Sequence, residues 1–445
     1  MNISEFLNNE YSDFALYSNY RAHPSYIDGL KNSGRKLVYT IRKKNIKSTL
    51  KVTALTSEVV KASGYLHGDA SMNGTIVTRA QSFSGANNLP ILTGEGSFGT
   101  RFIPEASAPR YIFARPADYF DQLFVKADDQ NLISQEFENA EIEPVFYVPV
   151  IPLLLVNGST GIGKGFADDI AARDINNMIA AVKAKLDGKK LKKEWFVPYW
   201  HDFRGTVKEL EPNVWEVKGL AEINGKKVTI DELPMVDNLG NFYTLEKYRT
   251  LLKKLRDKDI IDKFVDYSDD DKFKFEVTLS VDETKKSKEK IFSDLGLVGK
   301  FTENLTCIGE NNDIKDDFKS AEDIFNAYYA IKITYLKKRL KSETARLEKE
   351  AQDLEEAVRF INEVIKDTIN MKAKKADIEA LMKKKKYVNI DKLISMPLYS
   401  ITEDKAKEFK KKWDEKIKEL EAYKLETPES IWKKDLAALE KVIKN

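Results

Sequence analysis

The feature that most constrains the fold lies in the last third of the chain, where apolar side chains recur every seven residues. The repeat consists of Leu340, Leu347, Leu354 and Ile361. Such a period places one apolar stripe along a long helix and is typical of a coiled coil, although Thr344 weakens the first heptad. A second amphipathic helix after Pro397 is marked by Phe409, Trp413, Ile417 and Leu420. The pattern predicts either an antiparallel two-helix arm or a helical bundle packed on the core.

The composition is that of a soluble globular protein. Apolar residues make up 42% of the 445 positions and charged residues 32%. Cys307 is the only cysteine, so the sequence offers neither an internal disulfide nor a zinc cluster. The longest apolar run, Val148–Val156, is too short to span a bilayer, and residues 1–13 do not resemble a signal peptide. We therefore expect a cytoplasmic protein.

Positive charge is concentrated near the N-terminus. Residues 20–115 contain 14 Lys and Arg against 5 Asp and Glu, whereas the whole chain has a net charge of +2. A basic N-terminal third is compatible with binding to a polyanion, and also with an ordinary solvated surface. The cluster of Lys and Arg around one predicted helix favours the polyanion.

Local patterns predict three helices followed by two short strands. The helices are expected at Pro24–Arg42, Thr53–Ala62 and Ala70–Phe83, with Asp69 as the cap of the third, and the strands at Leu89–Leu92 and Arg110–Phe113 around a glycine-rich loop. This arrangement is a helix-turn-helix variant that can place a helix in a DNA major groove. Strands and turns dominate from about 140 to 312, which predicts a second, mixed α/β domain; Lys272–Val281 alternates as a half-exposed strand does.

A glycine-rich segment, Gly158–Gly165, comes close to the phosphate-binding P-loop pattern. Its last position is Gly165, which lacks the hydroxyl that would hold Mg²⁺. Nucleotide binding by this loop therefore remains only an alternative.

Four blocks of sequence together carry a resemblance to a known family. They are Asp28–Tyr39 (DGLKNSGRKLVY), Tyr65–Asp69 (YLHGD), Gly94–Tyr119 (GEGSFGTRFIPEASAPRYIFARPADY) and Val148–Ala167 (VPVIPLLLVNGSTGIGKGFA). In this order and spacing they resemble the DNA breakage-reunion subunit of type IIA DNA topoisomerases. Looser similarity extends over nearly the whole chain, through PYWHDFRGTV (198–207), IDELP (230–234), ISMPLYSITEDKAKE (394–408) and TPESIWKKDL (427–436).

The resemblance implies catalytic roles for four residues. Tyr111 would attack a DNA phosphodiester and form a 5′-phosphotyrosyl link, while Arg110, Arg35 and His67 would stabilise charge on the phosphate. Taken alone, an Arg-Tyr pair is more simply explained by a tyrosine that packs across strands. On a regular strand, Arg110 and Tyr111 would also point to opposite faces, so both reach the phosphate only if the backbone departs locally from a strand.

The resemblance also implies residues that bind DNA without cleaving it. Ile162 would wedge between base steps of the duplex. Basic side chains expected on the DNA are Lys31, Lys36, Arg42, Lys43 and Lys44. No metal ligand is expected in this chain.

The implied fold is a multidomain α+β architecture. An N-terminal segment (1–23) precedes a winged-helix cleavage domain (24–140), a mixed α/β tower (141–312) and a long antiparallel coiled-coil arm (313–425). The arm would end in a small helical dimer gate near 366–400, and residues 426–445 would form a helical tail.

The implied partners are duplex DNA, a second copy of the chain and a separate large subunit. No ATPase motif or acidic metal-binding (Toprim) motif is visible, so Mg²⁺ and ATP would both be bound by that large subunit, and no C-terminal DNA-wrapping domain is seen. Details of the blocks look closer to the eukaryotic enzymes. A short separate chain of this kind is similar to the medium subunits of T-even-type phage DNA topoisomerases. That similarity implies a role in phage DNA replication. Ala70 and Gly74 stand where gyrases carry the Ser and the acidic residue that bind quinolones.

The implied reaction is ATP-dependent relaxation, decatenation and unknotting of DNA. A non-enzymatic DNA-bridging dimer is the alternative from another class, since the basic region and the heptads fit it equally well.

Overall fold

The computed structural model describes residues 2–269, 272–397 and 400–444. The chain has a mixed α+β fold. It divides into two compact units, Met1–Lys332 with Lys433–Asn445, and Ile333–Trp432. Within the described ranges, every strand belongs to the first unit. None of the helices described is both long enough and apolar enough to cross a membrane.

Five helices and a small sheet make up the N-terminal part of the first unit. These elements are α1 (Ile3–Asn8), α2 (Glu10–Ala22), α3 (Asn32–Lys43), β1 (Leu50–Lys51), α4 (Val52–Ser63), α5 (Asp69–Ala80), β2 (Leu92–Glu95) and β3 (Phe113–Pro116). Helix α3 buries Leu37, Val38 and Ile41 along one face. The apolar spacing of this stretch thus produces a helix with one face in the core.

The single helix predicted over Pro24–Arg42 is wrong, because a turn occupies its first third. The Asp28 carboxylate accepts the backbone N–H of Leu30 (2.9 Å), which closes that turn. Gly29 has a φ of 66°, and a Cβ there would stand 2.4 Å from the backbone nitrogen of Leu154. The helix can begin only after this turn, at Asn32.

The third predicted helix has different ends from those expected. Helix α5 already includes Asp69, and Gly68 is its N-cap, so Asp69 adds a negative charge to the first turn but makes no side-chain cap. The helix ends at Ala80 and not at Phe83. The side-chain amide of Asn87 donates to the carbonyls of Thr78 (2.6 Å) and Gln81 (2.9 Å), which ties the last turn to the following loop.

The small sheet has the strand order β1-β3-β2 and is antiparallel throughout. In its register Glu95 faces Phe113 and Leu92 faces Pro116. Both predicted strands, Leu89–Leu92 and Arg110–Phe113, are therefore displaced by about three residues. The reason is a turn at Arg110 and Tyr111, which delays the start of β3.

Short elements and several sheets fill the rest of the first unit. They are α6 (Phe120–Leu123), β4 (Ser134–Phe137), β5 (Ala140–Pro144), α7 (Leu153–Asn157), β6 (Ser159–Ile162), β7 (Ala167–Ile170), α8 (Ile175–Leu186), β8 (Thr206–Glu211), β9 (Val214–Lys218), β10 (Leu220–Asn224), β11 (Lys227–Glu232), α9 (Leu245–Asp257), β12 (Ile261–Asp266), β13 (Phe275–Leu279), α10 (Lys288–Asp294), β14 (Val298–Thr302), β15 (Cys307–Ile308) and β16 (Ile314–Lys315). The larger sheets have the orders β10-β11-β13-β12 and β14-β9-β8.

The four-stranded sheet buries one face against α9 and α10. In β13, Phe275, Val277 and Leu279 are buried, while Glu276 and Thr278 between them are partly exposed. This alternation is the one that the sequence 272–281 predicts. The buried side chains join those of α9, including the fully buried Tyr248 and Leu252, in one apolar core.

The second unit is helical and begins within a helix of 45 residues. Its elements are the rest of α11 (Ala321–Ile365), α12 (Lys375–Lys384), α13 (Ile390–Ile394), α14 (Glu403–Lys424) and the start of α15 (Pro428–Ile443), whose residues from Lys433 onward belong to the first unit. Ion pairs Lys416–Glu350 (3.1 Å) and Lys424–Glu348 (2.7 Å) join α14 to α11 in reversed order, as expected for antiparallel helices.

The seven-residue repeat is only partly buried in the second unit. Leu347 and Ile361 are buried, while Leu340 and Leu354 are half-buried. Farther along the unit, Phe360 packs with Ile369, Met382 and other apolar residues of 357–394 in a separate small core.

Candidate functional site

Tyr111 lies on the turn that precedes β3, where it is 69% exposed. Its backbone N–H donates to the carbonyl of Ala108 (2.9 Å). The next residue, Ile112, is buried against Gly96, where an added Cβ would stand 3.0 Å from Ile112 Cγ2. The guanidinium carbon of Arg110 is 5.7 Å from the centroid of the Tyr111 ring. The turn therefore places cation and phenol together, which a regular strand would not do.

His67 is held by aromatic side chains on both sides. Its Nε2 is 2.5 Å from the hydroxyl of Tyr17 on α2, and the ring of Tyr65 meets it edge-on at 5.5 Å. Burial, and then the charges of Arg21 and Lys36, lower the pKa of His67 below its ordinary value. The neutral imidazole is therefore favoured at neutral pH. Tyr17 is a residue that the sequence did not indicate, since no motif surrounds it.

Ile162 stands at the tip of a β-hairpin and is 89% exposed. It ends β6 and pairs with Ala167 at the start of β7, while the N–H of Gly163 donates to the carbonyl of Phe166 (2.9 Å). A P-loop needs a helix directly after its glycine-rich loop. An antiparallel strand follows here, which excludes the nucleotide-binding alternative for Gly158–Gly165.

The hairpin is attached to α2 and to the start of α3. The side-chain amide of Asn19 donates to the carbonyl of Lys164 (3.0 Å) and accepts that residue's N–H (2.8 Å). The ammonium of Lys31 donates to the carbonyl of Thr160 (2.7 Å). A Cβ on Gly163 would stand 2.0 Å from Asn19 Oδ1. These contacts fix the backbone on both sides of Ile162.

A buried His23–Asp168 pair lies beneath the same hairpin. The distance from His23 Nδ1 to Asp168 Oδ1 is 2.5 Å, and both side chains are inaccessible to solvent. The two residues are 145 positions apart. No local signal in the sequence could have joined them.

Arg35 is buried in a network of its own. Its Nε donates to Asp28 (2.8 Å), and its terminal nitrogens donate to Tyr20 Oη (3.1 Å) and to the carbonyl of Leu30 (3.1 Å). Asp28 also accepts the backbone N–H of Tyr147 (3.0 Å). The donors of Arg35 thus hold the turn before α3, and its expected contact with the scissile phosphate stays a prediction.

Lys36 and Arg42, both expected on DNA, each have an acidic partner within the protein. Lys36 is buried, with its ammonium 2.8 Å from the Glu143 carboxylate and 2.7 Å from the carbonyl of Ser63. Arg42 is 2.6 Å from Asp129, and only 12% of its side chain is exposed. If Lys36 contacted DNA, the buried carboxylate of Glu143 would lose its ion pair with Lys36.

The other expected lysines are accessible to different degrees. Lys43 donates to the hydroxyl of Tyr39 (2.7 Å) in an exposed position. Lys44 pairs with Glu58 (2.6 Å), with 40% of its side chain exposed. Lys31 reaches the hairpin, so it is the expected lysine placed beside Ile162.

In the described ranges, the predicted site residues thus lie in separate local groups, such as Arg110 with Tyr111 and Lys31 with the hairpin. They do not form one connected group. Within 2–269, 272–397 and 400–444, no hydrogen bond joins Tyr111 to His67, Arg35 or Ile162. In the same ranges, no group of three or more His, Cys, Asp or Glu side chains is placed to hold a metal ion.

Comparison with known proteins identifies the family. The family model for the A subunits of DNA gyrase/topoisomerase IV matches residues 21–437. DNA topoisomerase 2-alpha of Gallus gallus is 32% identical, covering 98% of this chain and 30% of that protein. The mitochondrial DNA topoisomerase 2 of Dictyostelium discoideum is 27% identical, over 99% of this chain and 35% of that protein. The chain thus spans about a third of the length of these curated relatives.

A solved structure agrees with the sequence comparison. The DNA-binding, cleavage and re-ligation domain of Plasmodium falciparum topoisomerase II superposes with a TM-score of 0.87 at 28% identity, covering 99% of this chain and 64% of that one. The fold is therefore the mixed α+β fold of that domain, and the chain belongs to the family of DNA gyrase/topoisomerase IV A subunits.

Proposed function

We propose that this chain is the DNA-cleaving and rejoining subunit of an ATP-dependent type II DNA topoisomerase, acting in relaxation, decatenation and unknotting. The observation that carries the proposal is the exposed Tyr111 with the Arg110 guanidinium over its ring. An exposed tyrosine on a turn contributes little to packing, so its placement there is better explained by an external target.

The chemistry is a reversible transesterification. The Tyr111 oxygen attacks a backbone phosphorus, the new P–O bond forms as the phenol loses its proton, and the bond from phosphorus to the 3′-oxygen breaks. The leaving 3′-oxygen takes up a proton, and the tyrosine remains joined to the 5′-phosphate. Because one phosphodiester is exchanged for another, the reverse attack by the 3′-hydroxyl reseals the strand without ATP.

The cationic and polar groups act on the phosphate and on the shape of the duplex. Arg110 offers a fork of N–H donors to the phosphate oxygens as charge develops on them. His67, with a lowered pKa, offers a neutral imidazole to the same phosphate. Ile162, exposed at the tip of its hairpin, wedges into a base step and bends the DNA, which costs about a few kcal/mol of unstacking.

The finer domain assignment follows from the same proposal. We assign residues 24–140 to a winged-helix domain in which α3, α4 and α5 precede the β2–β3 wing. Residues 141–312 form the tower, 313–425 the coiled-coil arm with a dimer gate near 366–400, and 426–445 the tail. The ion pairs between α14 and α11 support the assignment of the arm, and the small core around Phe360 supports the assignment of the gate.

We assign the second cleaving tyrosine, ATP binding and Mg²⁺ binding to other polypeptides. Two copies of this chain supply one tyrosine for each DNA strand. A separate large subunit binds ATP and Mg²⁺, as in the medium-subunit arrangement of T-even-type phage topoisomerases. This division rests on the resemblance of the sequence blocks to those medium subunits.

The experiment that tests the proposal is denaturant trapping of a covalent adduct. The chain, a large subunit that carries the ATPase and metal-binding regions, Mg²⁺ and end-labelled duplex DNA are mixed, and the reaction is stopped with detergent. We expect the chain to be linked to 5′ ends, with the modified peptide mapping to Tyr111.

Tyr111→Phe is the matched variant, because it removes only the nucleophilic oxygen. It should abolish the adduct and leave DNA binding and the melting temperature nearly unchanged. An adduct that persists in this variant would overturn the assignment of the nucleophile. DNA bridging by the wild type without any adduct would favour the non-enzymatic alternative.

A further inference from the structure

A cleft of about 630 Å³ opens between α5, the start of α3, the β6–β7 hairpin with Asp169, and an aromatic wall of Trp200, Phe242 and Phe301. Arg79, in the last turn of α5, lines it together with Lys31. The side chain of Arg79 lies against Gly34, where an added Cβ would be 3.5 Å from Arg79 Nε. Hydroxyl groups on the same walls belong to Ser33, Thr78 and Thr160, while the Thr75 hydroxyl donates to Ser33 Oγ (3.0 Å).

We propose that Arg79 and Lys31 form an anion-binding cleft that holds a backbone phosphate of the bound DNA. This inference rests on the proposed function, since it adds a DNA contact to the same interface. Arg79 belongs to none of the motifs by which the sequence was recognised.

The first argument is that Arg79 has no anionic partner. Within the described part of the chain, no hydrogen bond or ion pair engages its guanidinium. The carboxylate that acts on it electrostatically, Asp28, is already bonded to Arg35 and to the backbone N–H groups of Leu30 and Tyr147. Burial lowers the pKa of Arg79, and the charge of Asp28 opposes that effect. A partly desolvated cation without a partner favours an incoming anion.

The second argument is that Lys31 adds to the same positive field. Burial lowers the pKa of Lys31, Asp168 opposes this effect, and the charge of Arg79 lowers the pKa further. The like charges of these two side chains thus act on each other across the cleft that both line. Asp168 Oδ1 accepts a hydrogen bond from His23 Nδ1 (2.5 Å). A phosphate between Lys31 and Arg79 would relieve the repulsion.

The third argument concerns the kind of anion. A guanidinium matches two phosphate oxygens at once, and hydroxyl donors suit the remaining oxygens. The cleft is larger than a lone phosphate requires, and one wall is the hairpin that carries the exposed Ile162. A DNA strand that meets Ile162 would pass beside this wall, so a strand phosphate is the occupant that we assign.

The test is the salt dependence of duplex binding by the full chain, with Arg79→Leu as the principal variant. Each lost phosphate contact lowers the slope of log K against log salt by about 0.9. We expect this reduction for Arg79→Leu. Arg79→Lys should keep the slope, because it retains the charge, but it should bind DNA less tightly, because it lacks the paired N–H donors of the guanidinium. The matched control is Arg256→Leu, which removes the same charge from an exposed position on α9.

Equal slopes for Arg79→Leu and Arg256→Leu would overturn the inference, provided that both variants melt as the wild type does. If Arg79→Leu melts lower, Arg79→Lys decides: unchanged affinity would then count against a phosphate contact. Calorimetry with inorganic phosphate tests whether the cleft binds a free anion and not a DNA phosphate. If Arg79→Leu loses phosphate binding while its slope for DNA stays unchanged, the inference is also overturned.

Failure of this inference and failure of the proposed function give different results. If the wild type forms the Tyr111 adduct while Arg79→Leu keeps the full slope, only the cleft assignment fails. If the slope falls as expected and no adduct forms, the cleft binds DNA and the cleavage proposal fails.

Discussion

The guanidinium of Arg110 lies over the ring of Tyr111, 5.7 Å from its centroid, because a turn and not a strand carries both residues. On a strand the two side chains would diverge. The turn makes one compact group of a cation and a nucleophile, which a phosphate can meet from a single direction. The exposure of Tyr111 leaves its hydroxyl accessible to that phosphate.

Arg110→Ala should reduce cleavage by about 10²–10³-fold in the reconstituted enzyme, since loss of one preformed donor to a developing charge has effects of that size. Arg110→Lys should recover only part of the activity, because an ammonium keeps the charge and loses the planar fork. Single-turnover cleavage rates measure both effects. Wild-type rates in Arg110→Ala would show that Arg110 merely covers the Tyr111 ring.

Ile162→Ala should diminish DNA bending and cleavage without a change in melting temperature. Ile162 is 89% exposed, so its truncation opens no cavity, whereas a buried Ile→Ala change costs about 2–5 kcal/mol. Fluorescence transfer between the ends of a short duplex reports the bend. A lower melting temperature with an unchanged bend would contradict the wedge. Ile91→Ala, at a position that is 1% exposed, serves as the destabilising control.

Arg21→Gln should raise the pKa of His67 toward its ordinary value. Burial is the largest cause of the lowered pKa, and the charge of Arg21 is the next. Titration of the imidazole signals by NMR measures the change; the chain has three histidines, and His67→Gln assigns the signal. The control Lys61→Gln removes a charge that is not among the causes of this shift. An unchanged titration of His67 in Arg21→Gln would show that burial alone sets its pKa.

Asp169→Asn should stabilise the protein at pH 8 and have no effect near pH 4. Burial, and then Glu303 and Asp168, raise the pKa of Asp169 to about 6. The folded state therefore holds this proton more tightly than the unfolded state, and the resulting stability is fully present below the unfolded pKa and is lost as pH rises through 6. Because the side chain is half-buried, we expect a gain of about 1–2 kcal/mol at high pH, where asparagine mimics the protonated acid.

Thermal unfolding between pH 4 and pH 8 measures the effect of Asp169→Asn. The control is Asp187→Asn, because hydrogen bonds from Lys433 and Lys189 lower the pKa of that exposed carboxyl. Its substitution should lower the melting temperature slightly at neutral pH, or leave it unchanged. A difference between Asp169→Asn and the wild type that does not depend on pH would exclude ionisation as the cause.

The sequence predicted the segments better than it predicted their ends. The alternation in 272–281 and the two long helices are local patterns, and the structure contains the corresponding elements. The strand predicted at Arg110–Phe113 and the helix predicted from Pro24 begin later than expected, because turns decide their starts. Those turns depend on contacts such as that between Gly29 and the distant Leu154, which no local pattern contains.

The basic residues show the same limit. Charges on the face of a predicted helix were interpreted as accessible to DNA, yet Lys36 and Arg42 are neutralised by Glu143 and Asp129, which lie 107 and 87 positions farther along the chain. Asn19 and His23 were missed for the same reason, since their partners on the hairpin are 145 positions away. The fold decides which side chains pair over such separations, and local patterns in a single sequence do not predict these partners.

The hairpin that presents Ile162 has a consequence for how this sequence can vary. Gly163 is not needed for an unusual backbone angle; it is needed because Asn19 Oδ1 occupies the place where its Cβ would stand, at 2.0 Å. A larger residue at 163 requires a smaller one in place of Asn19, which removes the two hydrogen bonds to Lys164, and also a shift of His23, whose Nε2 would stand 2.6 Å from the added Cβ. Positions 19 and 163 should therefore covary among chains of this fold, so that an alignment column near the N-terminus records the shape of a loop more than 140 residues away.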